Sequence, residues 1–190
     1  MKDVAELKTL HAALLDIVRD AGKCVMDVYA TDFEVTDKSD NSPVTQADKK
    51  ADEVIVARLK ALTPDIFIVS EESTEAGQRP AAGAPFWLVD PLDGTKEFIN
   101  RNGEFTVNVA LIESGQPVLG VVLAPALGRL FSGIAGVGAW LEDADGAREI
   151  RCRVPPGEGL TVVASRSHGD AAALDAYLAG RKVADLRNAG

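Results

Sequence analysis

Residues 86–98 constrain the fold more than any other stretch, because an apolar run there ends in two closely spaced acids. Residues 86–89 predict a buried strand that ends at Asp90. Pro91 predicts that the strand stops there, since proline has no N–H to donate to a ladder. Asp93 follows, and Gly94-Thr95 predict the start of a short helix. Carboxylates bind hard cations and the N–H groups of a helix start bind anions, so this segment favours a divalent cation held against a phosphate.

A second apolar run with acids at its end lies earlier in the chain. Residues 66–69 predict a strand, and Ser70-Glu71-Glu72-Ser73 follow it. Taken singly, an acid just past a strand is most often a solvated turn residue. Two such strand ends, with the Pro-Leu spacer and the Gly-Thr step, indicate a shared cation site if both strands lie side by side in one sheet.

At these residues the sequence resembles the inositol monophosphatase superfamily, whose members are magnesium-dependent, lithium-sensitive phosphatases. The resemblance rests on Glu71-Glu72-Ser73 and on Asp90-Pro91-Leu92-Asp93-Gly94-Thr95. Lys96-Glu97-Phe98-Ile99 and the segment 101–106 resemble the bacterial 3'(2'),5'-bisphosphate nucleotidase branch of that superfamily. Inositol phosphatases more often carry Thr-Asn-Phe after the Asp-Gly-Thr.

The resemblance implies an α+β fold, a layered α-β-α-β sandwich with a mostly antiparallel first sheet. We expect a metal-binding layer over residues 1–154 and the start of a second, incomplete α/β layer over residues 160–190. The family carries a later Trp-Asp-x-Ala segment whose Asp is a further metal ligand. Neither Trp87 nor Trp140 is followed by Asp. The chain is therefore expected to be a fragment or to end early, with a weakened second cation site.

Periodicity gives the individual elements. Apolar residues at helical spacing predict helices over residues 4–30, with Asp3 as the cap, and over residues 46–62. Apolar runs predict a largely antiparallel set of strands. These strands are at 66–69, 86–89, 107–112, 117–123, 130–134, 139–142 and 149–153. Residues 160–164, 170–179 and 183–186 then predict a strand, a helix and a strand.

The resemblance also assigns metal ligands and phosphate-binding groups. Glu71 and Asp90 would ligate one cation together with the carbonyl of Leu92, and Asp90 and Asp93 would share the next. Two or three Mg²⁺ ions are implied, with Li⁺ as an inhibitor. Gly94, Thr95 and Lys96 would bind the scissile phosphate.

Thr95, Asp48 and Glu71 are the catalytic residues that the resemblance implies. Asp48 would polarise the Thr95 hydroxyl, which orients the attacking water. The segment Thr45-Gln46-Ala47-Asp48 is also a capping box for the second helix, and one acid can do both jobs. Lys38 could reach the metal cluster or be a solvated surface lysine.

The segment Ser165-Arg166-Ser167-His168 follows a predicted strand and precedes a predicted helix. One interpretation is a loop whose Ser167, or Asp170 after it, caps the helix. The other is substrate binding, with Arg166 or His168 meeting a second phosphate and the base of a nucleotide.

Composition limits the classes of partner. The net charge of −9 disfavours a nucleic-acid polymer or an anionic membrane as the partner. No apolar stretch approaches the roughly 20 residues of a membrane span. Cys24 and Cys152 predict neither a disulfide framework nor a metal site. A cytoplasmic protein with a small nucleotide substrate is expected, and a homodimer is left open.

The function that the resemblance implies is that of a phosphoric monoester hydrolase of sulfur metabolism. It would convert 3'-phosphoadenosine 5'-phosphate to AMP and phosphate with a metal-activated water. The alternatives are an inositol or sugar monophosphatase of the same fold, and a non-catalytic module that binds cation and nucleotide.

Overall fold

The computed structural model describes residues 2–37, 43–74, 78–165 and 170–189. The chain divides into two compact units, Met1–Ile150 and Arg151–Gly190. The predicted limits of the metal-binding layer, residues 1–154, and of the incomplete second α/β layer, residues 160–190, remain a prediction.

The first helix, α1, runs over Val4–Tyr29 and begins where the sequence predicts. The Asp3 side chain caps it by accepting a hydrogen bond from the Glu6 N–H at 2.8 Å. Its buried stripe recurs every three or four residues, as expected for a helix with one face on a core. The buried aliphatic members are Leu7, Leu10, Leu14, Ile17, Val18, Ala21, Val25 and Val28.

The second helix, α2, runs over Gln46–Leu62 and also matches its prediction. Thr45 and Asp48 form the predicted capping box at its start. One face of α2 is buried through Ala47, Ala51, Ile55 and Leu59. Helices α1 and α2 pack against each other and on one side of the main sheet.

Within the described residues, seven strands form the main sheet in the order β3-β4-β5-β6-β7-β8-β9. Strand β3 pairs with β4 in parallel, and the later neighbours are antiparallel, so the predicted α+β class and mostly antiparallel sheet are confirmed. The strands are β3 Phe67–Ser70, β4 Phe86–Asp93, β5 Thr106–Glu113, β6 Gln116–Ala124, β7 Arg129–Ile134, β8 Gly138–Asp143 and β9 Gly146–Ile150. Two short strands, β1 Val35–Asp37 and β2 Pro43–Thr45, pair separately.

The core lies between the helices and one face of this sheet. Burial alternates along β5, so Val107, Val109 and Leu111 point into the core. Gly22 lets α1 approach β6 closely, because a Cβ there would lie 2.3 Å from Leu123 Cδ2. The buried Trp87 ring of β4 donates its Nε1–H to Thr63 Oγ1 at 2.8 Å, which ties the end of α2 to the sheet.

Among the strands of the main sheet, β4 and β9 depart most from their predicted limits. Strand β4 continues through Pro91 to Asp93, because Pro91 lies at a register shift where no ladder bond is required of it. Strand β9 spans Gly146–Ile150 instead of 149–153, because pairing resumes directly after the tight turn, with Asp143 opposite Gly146.

The second unit is a strand–helix–strand motif, as predicted. Strands β10 Leu160–Ser165 and β11 Val183–Ala189 pair in parallel, and helix α4 Ala171–Leu178 connects them. Asp170 caps α4 by accepting from the Ala172 and Ala173 N–H groups. No described residue of α4 is buried.

None of the helices in the described part of the chain is both long enough and apolar enough to cross a membrane.

His11 of α1 packs against Trp140 of β8, with ring centroids 5.3 Å apart. Burial lowers its pKa below 6.5. Within the described residues its Nε2 atom is buried without a hydrogen-bond partner. The unfolded chain therefore takes up a proton at this histidine before the folded chain does, so stability is lost as the pH falls below 6.5.

We expect His11→Phe to keep the ring contact with Trp140 and to remove this loss. The thermal midpoint should fall less between pH 7.5 and pH 5.5 in the variant than in the wild type. An equal fall in both proteins would show that His11 carries no such penalty.

Candidate active site

The parallel pairing of β3 with β4 brings the two predicted acidic strand ends together. Ser70 lies opposite Val89, and the Glu71 N–H continues the ladder by donating to the Val89 carbonyl at 3.2 Å. Glu71 is thereby held next to Asp90. The expectation that both strands lie side by side is confirmed.

A bulge in β4 separates Asp90 from Asp93. Asp90 lies opposite Asn108 of β5 and Asp93 opposite Thr106, so three steps on β4 match two on β5. Asp90 is half-buried and Asp93 is exposed. The Asn108 Nδ2 atom donates to Asp93 Oδ2 at 3.4 Å. The Pro-Leu spacer fills the bulge, with both of its residues buried.

The surroundings of Asp90 raise the pKa of its carboxyl group. Its burial, followed by the charges of Glu71 and Asp93 and a hydrogen bond to Glu71, raises its pKa from 3.8 to about 7. The Leu92 N–H, which donates to Asp90 Oδ1 at 3.2 Å, opposes that shift. Glu71 and Asp93 therefore both act on Asp90 at this edge of the sheet.

The chemistry of these donors fits a hard divalent cation, which prefers carboxylate and carbonyl oxygens. Among the residues that the structure describes, however, no three acidic, histidine or cysteine side chains are close enough together to form a ligand set for one ion. The ligand roles of Glu71, Asp90, Leu92 and Asp93 therefore stay predictions.

Gly94 turns the chain from β4 into the short helix α3, Thr95–Ile99. Its φ of 88° lies in the left-handed region, and a Cβ would lie 3.0 Å from the Glu104 carbonyl oxygen. Glycine is thus required both for the backbone angle and for the close approach.

An aromatic cluster anchors α3 to the end of α1. The Phe98 ring is fully buried, with its centroid 4.8–5.0 Å from those of Tyr29, Phe33 and Phe105. Arg101, just after α3, donates to the carbonyls of Tyr29 and Thr31, and its guanidinium lies 4.5 Å from the Phe33 ring centroid. These contacts fix where the Thr95 end of α3 lies.

Asp48 makes the hydrogen bonds that both interpretations require, and its catalytic role stays a prediction. Its Oδ2 atom accepts from the N–H and the hydroxyl of Thr45, at 2.8 and 2.7 Å, to complete the capping box. Its Oδ1 atom accepts a hydrogen bond from the Thr95 hydroxyl at 3.2 Å. The Thr95 hydroxyl also lies 3.3 Å from the Leu92 carbonyl oxygen. Asp48 is only 1% exposed, so its orientation is fixed by these bonds.

A second buried carboxyl, Asp52, is one that the sequence analysis missed. It lies one turn after Asp48 on the same face of α2 and accepts a hydrogen bond from the Ser70 hydroxyl. The signal in the sequence was the spacing of four residues between two acids, which places both on one face of the helix. From the sequence alone, such a pair is interpreted as solvent-exposed.

The roles of the remaining predicted site residues are not tested by the described structure. Lys96 is exposed on α3. Ser165 is exposed at the end of β10, in the other unit. Arg166, Ser167 and His168, like Lys38, lie outside the described residues. Their predicted roles are untested.

The raised pKa of Asp90 predicts a pH-dependent stability in chelator-treated protein. The folded chain holds the extra proton between pH 3.8 and about 7, so this contribution is present at pH 4 and lost as the pH rises to 7. Asp90→Asn removes the charge and keeps the shape. With EDTA present, we expect the thermal midpoint of the variant to exceed the wild type increasingly from pH 4 to pH 7. A constant difference over that range would contradict the shift.

Comparisons with known proteins show related sequences and a related fold. The chain is 49% identical over 159 residues to the 3'(2'),5'-bisphosphate nucleotidase CysQ of Escherichia coli O157:H7, an alignment that covers 82% of this chain and 63% of that protein. It is 50% identical over 158 residues to CysQ of Salmonella typhimurium, covering 81% and 62%. The structure of CysQ from Bacteroides thetaiotaomicron, a bacterial member of the inositol monophosphatase family, superposes with a TM-score of 0.75 at 34% identity, covering 96% of this chain and 73% of that one.

The chain thus spans about 63% of the length of the first of these relatives. The sequence profile of the inositol monophosphatase family matches residues 6–189. The predicted resemblance is confirmed, and the chain belongs to the inositol monophosphatase family.

Proposed function

We propose that this chain carries the site of a magnesium-dependent phosphatase that hydrolyses 3'(2'),5'-bisphosphate nucleotides, converting 3'-phosphoadenosine 5'-phosphate to AMP and phosphate. The observation that carries the proposal is the hydrogen bond from the Thr95 hydroxyl to the buried Asp48, beside the carboxyl group of Asp90. The identity of about half the aligned residues to proteins named as these nucleotidases supports the choice of substrate.

Glu71, Asp90, Asp93 and the Leu92 carbonyl would hold the magnesium. When bound, Mg²⁺ supplies Lewis-acid activation of water and neutralises charge on the phosphate and the leaving oxygen. The mutual effect of the carboxyl groups on Asp90 supports this assignment, since crowded acids repel one another and favour a cation between them.

Thr95 and Asp48 would orient the attacking water and take its proton. The Thr95 hydroxyl donates to Asp48, so its lone pairs are left to accept a hydrogen bond from water. As the water oxygen bonds to phosphorus and the ester bond to the leaving oxygen breaks, one water proton would pass to Thr95 while the Thr95 proton passes to Asp48, and the leaving oxygen would take a proton from solvent water to become the hydroxyl of AMP. The bonds from Thr45 hold Asp48 in place for this transfer.

Gly94, Thr95 and Lys96 would bind the scissile phosphate. The first N–H groups of a helix have no acceptor within the helix, and no side chain caps those at the start of α3, where Gly94 is left-handed. Lys96 is exposed and adds a positive charge. Ser165, Arg166, Ser167 and His168 are proposed to meet the second phosphate and the base.

One observation favours a second candidate, a module that binds cation and nucleotide without turnover. Within the described residues no complete set of three side-chain ligands is assembled. Such a module would bind the nucleotide and release no phosphate. An inositol or sugar phosphatase is the other alternative, and Lys96-Glu97-Phe98 argues against it.

A substrate panel tests the proposal. With Mg²⁺, the chain should release phosphate from 3'-phosphoadenosine 5'-phosphate in preference to inositol 1-phosphate or fructose 1,6-bisphosphate, and Li⁺ should inhibit the release. Preference for inositol 1-phosphate would overturn the substrate assignment. Nucleotide binding by calorimetry with no phosphate release would favour the non-catalytic module.

Thr95 offers a matched pair of substitutions. Thr95→Val keeps the shape and removes the hydroxyl, while Thr95→Ser keeps the hydroxyl. We expect Val to lower kcat by about 100-fold or more, in line with the usual size of general acid–base effects, and Ser to retain most of the activity. Equal activity of the two variants would remove the hydroxyl from the mechanism.

A further inference from the structure

Helix α2 presents two buried carboxyl groups to the site, and only the first has a role in the proposed chemistry. Asp48 is 1% exposed and Asp52 is 5% exposed. They are four residues apart, so they lie on the same helix face, one turn from each other. Asp48 reaches Thr95, while Asp52 accepts a hydrogen bond from the hydroxyl of Ser70 at the end of β3.

Ser70 is the last residue of β3, and hydrogen bonds hold it at the start of the turn that contains Glu71. Its N–H donates to Thr74 Oγ1 at 2.6 Å, and its carbonyl accepts from the Thr74 N–H at 3.2 Å. Its hydroxyl oxygen lies 3.4 Å from the Glu72 N–H. Ser70 is 3% exposed. A shift of this residue would therefore carry residues 71–74 with it.

Glu71 is held from both sides by these contacts. Its N–H donates to Val89 of the neighbouring strand, and the residue before it is bonded to Asp52. Its side chain is exposed and acts on Asp90. The backbone is thus fixed while the carboxylate remains at the surface.

We propose that Asp52 is a positioning residue that acts through Ser70 to hold Glu71 against Asp90 for cation binding. This inference rests on the proposed function. Residues that orient the ligands of a metal typically change its affinity by 10- to 100-fold when they are removed.

Packing alone does not require a carboxyl group at this position. The neighbouring buried positions of α2 are Ala51, Ile55 and Leu59, which are apolar. A carboxyl group loses its hydration when it is buried, whereas leucine at the same place would gain from leaving water. What Asp52 adds is a directional bond to Ser70. Removing it is therefore expected to affect cation binding more than folding.

The experiment uses the full chain and four single substitutions. Asp52→Leu and Ser70→Ala each remove the hydrogen bond, and Asp52→Asn keeps an acceptor oxygen. Glu53→Gln, on the exposed face of α2, is the matched control. Mg²⁺ is titrated against each protein and followed by the thermal midpoint. Amide hydrogen exchange of residues 70–74 is measured without Mg²⁺.

We expect Asp52→Leu to raise the half-saturating Mg²⁺ concentration about tenfold or more and to speed exchange in residues 70–74. Asp52→Asn and Glu53→Gln should stay close to the wild type. The double variant Asp52→Leu/Ser70→Ala should bind Mg²⁺ no more weakly than Ser70→Ala alone, since Ser70→Ala already removes the bond to Asp52. If Asp52→Leu does not fold, Ser70→Ala carries the same test.

Unchanged Mg²⁺ binding in folded Asp52→Leu, or in Ser70→Ala, would overturn the inference. Faster amide hydrogen exchange with unchanged Mg²⁺ binding would also overturn it, because Asp52 would then have only a structural role. A wild-type chain that shows no response to Mg²⁺ would instead overturn the proposed function, and the inference with it. That outcome is visible before any substitution is compared.

Discussion

Two carboxyl groups of α2 accept hydrogen bonds that join the helix layer to the edge of the sheet where the acids lie: the Thr95 hydroxyl donates to Asp48 and the Ser70 hydroxyl donates to Asp52. Buried carboxyl groups are tolerated only when their oxygens have partners, so each bond is needed for the burial of its own acid. The same two bonds set the positions of the β3 turn and the start of α3. The stability of α2 and the geometry of the site therefore depend on the same side chains.

The sheet contributes the other half of the arrangement. Parallel pairing of β3 and β4 puts Glu71 next to Asp90, and the bulge in β4 separates Asp90 from Asp93. The resulting crowding is unfavourable for the charged acids, as the raised pKa of Asp90 indicates. The large apolar core formed by α1, α2 and the sheet offsets this cost, as does the aromatic cluster around Phe98. The proposed cation site is thus carried by a scaffold that is stable for independent reasons.

Several features could be predicted from the sequence because they depend on near neighbours. The limits of α1 and α2, the Asp3 cap and the capping box at Thr45 follow from residues within one helical turn. The hairpin of β5 and β6 follows from alternation on both sides of Ser114-Gly115, both of which have positive φ. The motif around Asp90 was specific enough to indicate the family, which the comparisons confirm.

What only the tertiary structure decided depends on residues distant in the sequence. Pro91 predicted the end of a strand, but pairing with Thr106 of β5 carries β4 past it through a bulge, and no local pattern encodes that register. Asp48 had two interpretations. The capping box is present, and the Thr95 hydroxyl, 47 residues later in the chain, donates to the second oxygen of Asp48, while the catalytic role stays a prediction. From the sequence alone, Asp52 is interpreted as an ordinary charged residue on a helix. In the structure it is buried and accepts a hydrogen bond from Ser70. The sequence determined which groups are present and which elements carry them, whereas the long-range contacts determined which groups face each other.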